Sequence, residues 1–170
     1  MSPASELRIT RGPNRFELML GLFANKSLSF TIERRAVSAL VLSATSVDSQ
    51  RDRWHLSLLI DGQVSRWEYD SHLRAGLTLN ELAPARPRVS SMKKGRALSV
   101  PTQMQLMTAM HDGSSLTLRI VELETMLTVQ SLTAEDGSRT VWFATLRING
   151  RDSRWYINTS ARIAHEMVTA

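Results

Sequence analysis

No cysteine occurs in the 170-residue chain, which excludes a disulfide framework, a thiolate nucleophile and any cysteine-ligated zinc site. Long apolar runs are also missing: no stretch approaches the roughly 18 to 20 consecutive residues that span a bilayer as a helix, so membrane insertion is not expected. The first residues, Met1-Ser-Pro-Ala-Ser-Glu-Leu-Arg8, lack the basic and then apolar regions of a secretory signal, and the cytoplasm is the expected compartment. The eight glycines are scattered, so there is no phosphate-cradling loop, and no G-x-S-x-G occurs. His55, His72, His111 and His165 never fall at metal-ligand spacing such as H-x-x-x-H. No catalytic residue, metal ligand or cofactor is expected, and the chain is expected not to be an enzyme.

What is present is a globular composition with misplaced charge. Hydrophobic residues make up 42% and charged residues 22%, the balance of a chain that builds a core. The net charge is +5, yet residues 1–85 carry ten Lys/Arg against nine Asp/Glu, and residues 97–170 carry six against seven. The excess is Arg86, Arg88, Lys93, Lys94 and Arg96, with no acid among them.

The chain also repeats itself. Shifted by 88 positions, Pro13–Trp67 lies on Pro101–Trp155 without a gap, with 18 identities in 55 positions; chance would give about three or four. Trp54/Trp142, Gly62/Gly150 and Ser65-Arg66-Trp67/Ser153-Arg154-Trp155 are among them. Substitutions keep structural roles. Asn14-x-x-Glu17 and Thr102-x-x-Gln105 are both capping boxes behind a proline. Each opens a helix of about ten residues, closed by Asn25 or Gly113, which suit a left-handed C-cap. Phe16, Met19, Leu20 and Phe23, and Met104, Met107, Thr108 and His111, have the spacing of its buried stripe.

After each helix the apolar period drops to two, at Leu28, Phe30 and Ile32 and at Leu116, Leu118 and Ile120, predicting strands. Further strands are expected over Val37–Val47 and Thr125–Thr133. Asp61-Gly62 and Asn149-Gly150 predict type I′ hairpins. A two-residue loop sets Leu56 opposite Trp67, Trp54 opposite Tyr69, Arg53 opposite Asp70 and His55 opposite Glu68. In the second copy it sets Trp142 opposite Ile157, Ala144 opposite Trp155 and Arg147 opposite Asp152. Apolar residues then share one face, so the tryptophans are expected in the core rather than on an open stacking platform, with Arg66 and Arg154 on the opposite face. Glu122 and Glu124 are expected on one solvated strand face. Leading strands are expected at Leu7–Thr10 and Ala97–Val100, and helices at Leu73–Leu82 and Ser160–Val168.

The expected fold class is α+β: two homologous β-rich lobes, residues 1–82 and 96–170, related by an internal pseudo-two-fold and joined by a basic, proline-containing connector over 83–95. Without catalytic motifs, the expected function is a non-catalytic interaction protein, a regulatory adaptor or inhibitor, that binds another protein through its two-lobed surface. Arg86, Arg88, Lys93, Lys94, Arg96, Arg66 and Arg154 are the candidate anion- or partner-binding residues, suited to phosphates or to an acidic protein surface; the alternative function is a nucleic-acid-binding protein that uses the basic connector and the Arg66 and Arg154 strand faces.

Overall fold

The computed structural model describes residues 7–79, 92–135 and 137–169. The fold is mostly antiparallel β, 58% strand, with two short helices and a six-stranded barrel; the helices are accessories to a β framework. The chain divides into two compact units, Met1–Pro84 and Ala85–Ala170.

In the first unit β1 (Arg8–Arg11) precedes α1 (Arg15–Ala24), and β2 (Leu28–Ile32), β3 (Arg35–Ser46), β4 (Arg53–Ile60), β5 (Gln63–Asp70) and β6 (Ala75–Thr78) follow. The strands pair in the order β2-β1-β6-β5-β4-β3, and β3 returns to β2. That last pairing closes the ring. Inside it lie Ile9, Phe30, Val41, Trp54, Leu56, Leu58, Trp67 and Tyr69, each at most 1% exposed. Alternation does the sorting: successive residues of a strand point to opposite faces, so every second position is core.

The second unit runs β7 (Met92–Ala97), α2 (Gln103–Asp112), β8 (Leu116–Ile120), β9 (Leu123–Ala134), β10 (Val141–Ile148), β11 (Arg151–Asn158) and β12 (Ile163–Thr169). Strand β7 pairs with β12, β12 with β11, β11 with β10, β10 with β9 and β9 with β8. A bridge from Leu98 to Ile120 links the two ends of this series. Leu127, Val129, Leu132, Trp142, Leu146, Trp155 and Ile157 form its core.

Helices α1 and α2 and strands β2 to β5 and β8 to β11 occupy equivalent positions along the repeat, as do the backbone irregularities. Left-handed residues occur at Asn25 and Gly113, Glu33 and Val121, Arg34 and Glu122, Arg51 and Arg139, Asp61 and Asn149, Gly62 and Gly150, and Arg74 and Arg162. Both capping boxes form, with Asn14 accepting from the Glu17 N–H and Thr102 from the Gln105 N–H. Both hairpins adopt the expected register, Trp54 opposite Tyr69 and Trp142 opposite Ile157. The tryptophans are core residues, and their indole N–H groups are satisfied. Trp67 and Trp155 each donate to the serine two residues earlier, at 2.8 Å, while Trp54 donates to Ser71 and Trp142 to Gln103.

Several expectations are corrected. Instead of helices at Leu73–Leu82 and Ser160–Val168, the chain forms β6 and β12. The register between β12 and β7 shifts between His165 and Met167, so the buried residues Ala164 and Met167 fall three apart, a spacing that mimics a helix. The buried helix stripe is rotated from the expected one: Leu18, Met19 and Leu22, and Leu106, Ala109 and Met110, face inward, whereas Phe16 and Met104 are exposed. Most of the expected connector over 83–95 lies outside the described residues; at its end Lys93 and Lys94 pair with Val168 and Met167. Glu122 stands in a tight turn rather than beside Glu124 on a strand.

One position sets the two interiors apart. Tyr69 donates to the Pro13 carbonyl at 2.5 Å, and its ring meets Phe30 edge to face, with centroids 5.9 Å apart. A side chain on Gly12 would collide with the Tyr69 hydroxyl. In the second copy Ile157 replaces Tyr69, and Val100 stands where Gly12 does.

Candidate interaction surface

Of the expected site residues, Arg66 belongs to the first unit and Lys93, Lys94, Arg96 and Arg154 to the second. Arg86 and Arg88 lie outside the described residues. Arg66 and Arg154 are on outward faces, opposite Ser57 and Thr145, each in its own unit. Lys93 and Lys94 are exposed on β7, and among the described residues neither forms an ion pair. Arg96 is engaged: it makes two hydrogen bonds to the Glu166 carboxylate, at 2.8 and 3.1 Å, and its guanidinium lies 5.5 Å from the centre of the Trp155 ring. The hydrogen bond from Arg96 holds the Glu166 carboxyl below its usual range.

The histidines stand in separate local settings. His55 faces Glu68 across a strand pair, His72 lies in a turn where its backbone N–H donates to the Asp70 carboxylate, His111 contacts Asp112, and His165 stacks on Tyr156. Among the described residues no three His, Asp or Glu side chains converge in the way a metal site needs. No helix among them is long and apolar enough to cross a membrane.

A different feature emerges when the outward faces of the two units are compared along the strand pairings. In the first unit one row around the outside runs His55, Glu68, Leu77, Arg8, and the Glu33 carboxylate accepts the Arg8 N–H. Arg53 and Asp70 lie in the next row, with Ala75, and Arg53 forms an ion pair with Glu68. In the second unit the matching row runs Phe143, Tyr156, His165, Ala97, and the Val121 N–H donates to the Ala97 carbonyl. The row beside it is Val141, Asn158 and Ile163.

Every charge in the first pair of rows has a neutral counterpart in the second. Valine, tyrosine and asparagine replace Arg53, Glu68 and Asp70, and valine replaces Glu33; the 88-residue shift sets Arg96 on Arg8, but the strand pairing puts Ala97 in its place, opposite His165 as Arg8 is opposite Leu77. Tyr156, which replaces Glu68, touches a ring on either side: Phe143 and Tyr156 have centroids 6.1 Å apart, and Tyr156 stacks on His165 at 5.2 Å with a 25° interplanar angle. Phe143 is buried and Tyr156 and His165 are half-buried, while Ile163 is 46%, Val168 37% and Val121 58% exposed. This face was readable in the sequence, since the expected register already set Arg53 and Glu68 on the wet side. The substitutions at wet positions, rather than the identities at core positions, carry it.

Val121 adds a second anomaly. Its φ is 48°, a left-handed conformation that a β-branched residue adopts only at a cost of about 1–2 kcal/mol. Its counterpart Glu33 has the same φ of 48°, so the turn is common to both copies and the β-branched side chain is what differs. No protein-family model, curated protein or solved structure matches the chain.

Proposed function

We propose that this protein is a non-catalytic interaction protein, of the regulatory adaptor or inhibitor type, and that its second unit carries the partner-binding face: the outward surface of β10, β11 and β12. The observation that supports it is the replacement of five charged residues at matching outward positions by neutral, mostly apolar ones. An ionic sheet face is kept soluble by its charges. A face that has lost them while exposing Ile163 and Val168 gains free energy when something covers it. The internal repeat supports the same proposal, because the first unit supplies a soluble version of that surface on an equivalent strand framework.

The experiment uses the double variant V141R/Y156E, which places an arginine and a glutamate where the first unit holds Arg53 and Glu68. Wild type and variant are used as bait in extracts of the native host. Partners retained by wild type and lost by the variant are the expected result; identical retained sets would refute the assignment of this face. The nucleic-acid alternative draws its support from the basic residues, and the engagement of Arg96 with Glu166 counts against it. Titration of labelled single- and double-stranded oligonucleotides at low and high salt tests it, with Arg86, Arg88, Lys93, Lys94 and Arg96 neutralised in parallel; salt-sensitive binding lost on neutralisation would favour it.

A further inference from the structure

Resting on that assignment of the face, we infer that its occupant is a protein segment carrying apolar side chains beside acidic ones. The chemistry of the face and of its border selects such a segment. Along one side of the ring row, at the Val168 end of β12, two exposed cations stand on the flanking strands. Lys93 of β7 pairs with Val168. Arg154 of β11 lies one residue beyond the Trp155–Glu166 pair. Strands two apart are about 10 Å apart, so the two cations bracket a segment lying over β12.

Acids that would cancel these cations point elsewhere. Glu166 shares a strand position with the inward Trp155 and is held by Arg96. Asp152, at the tip of the β10–β11 hairpin, is held by Arg147 at 2.8 Å. The face is therefore apolar with a positive border, and charge complementarity sets the partner's sign.

The same geometry disfavours a nucleic acid. Base stacking needs open ring faces, but Tyr156 and His165 present their faces to each other. The exposed residues next to them are aliphatic, Ile163 and Val168, which offer a base no ring to stack on. Aliphatic flanks suit leucine-like and phenylalanine-like side chains, with Asp or Glu reaching Arg154 and Lys93.

The test is a selection of random peptides displayed on phage against the full chain, with V141R/Y156E as the counter-selecting surface, beside a labelled oligothymidylate as the nucleic-acid probe. The expected winners combine apolar and acidic residues. As synthetic peptides they lose at least about tenfold in affinity toward the charge-reversed variant K93E/R154E, whose exposed substitutions leave the core untouched. Three outcomes would overturn the inference. Winners that are neutral or basic, and still depend on Tyr156, would leave the face in place but give it a partner of different chemistry. Oligothymidylate binding abolished by V141R/Y156E would assign the face to nucleic acid. Peptides indifferent to both variants, or no enrichment at all, would remove the face along with its partner. Thermal unfolding of each variant confirms that a lost interaction is not a lost fold.

Discussion

The first unit buries a phenol inside its sheet and keeps an ionic exterior, whereas the second buries an isoleucine at the matching position and carries an aromatic exterior. Tyr69 and Ile157 occupy the same place on β5 and β11, as do Glu68 and Tyr156. The pair of comparisons teaches that a strand framework constrains side-chain size and polarity inside but leaves the outside to be set by what the surface meets. Inside, a ring at 69 requires glycine at 12; outside, five charges are replaced while the capping boxes and hairpin turns stay in place.

The largest expected effect is common to both units. Trp67→Ala and Trp155→Ala each remove a fully buried indole and should cost about 3–5 kcal/mol in denaturant unfolding. A cost near zero for either one would mean that its ring is not core and would break the parallel between the two copies of the repeat.

The second expected effect separates the interiors. Burial pushes the Tyr69 phenol well above its ordinary range, so the folded state favours the protonated form. Its contribution to stability is fully present below the unfolded value of about 10 and is lost as pH rises from there through the folded value. Tyr69→Phe should cost about 1 kcal/mol near neutrality, from the unpaired Pro13 carbonyl, and flatten the alkaline limb of the stability profile. An unchanged alkaline limb would show that the phenol is not the sensor. Ile157, in the equivalent place, cannot ionise.

Turn strain gives a third, smaller contrast. Val121→Asn should stabilise by about 1 kcal/mol, because asparagine tolerates the left-handed conformation better than valine. Glu33→Asn should be close to neutral, since it also removes the carboxylate that accepts the Arg8 N–H at 2.9 Å. Equal shifts in melting temperature for the two would indicate that strain at Val121 is not special. The smallest expected effect is on the exterior. V141R/Y156E should lower stability by about 1 kcal/mol or less, because the lost ring contacts slightly outweigh an exposed ion pair. A loss of several kcal/mol would show that the aromatic row holds the unit together rather than serving a partner.

Much of the framework was legible in the sequence because its signals are local. Asn14 and Glu17 define a helix start, Asp61-Gly62 fixes a hairpin register, and that register put Trp54, Leu56 and Leu58 inside. The edges were harder. Glu33-Arg34 and Val121-Glu122 form two-residue turns without the glycine or asparagine that announces one, and the register shift beside His165 disguised β12 as a helix. Nothing in the helix sequences distinguished a stripe through Phe16 and Met19 from one through Leu18 and Leu22, since both are apolar at helical spacing; packing against β2 and β3 chose the second. The candidate face lies in what the repeat changes, not in what it keeps, and identities alone do not point to it. Charge singles out Arg86, Arg88, Lys93, Lys94 and Arg96, and retention in both copies singles out Arg66 and Arg154, but neither signal reveals that Arg96 is occupied by Glu166.

Two indoles sealed in each half, on a chain with no sulfhydryl, turn the molecule into its own optical gauge. Replacing one half's pair with phenylalanine leaves emission that reports on the other half alone, and a single introduced thiol on the outer wall becomes a unique attachment point for a second dye. The loosening of each half can thus be watched separately in one intact polypeptide.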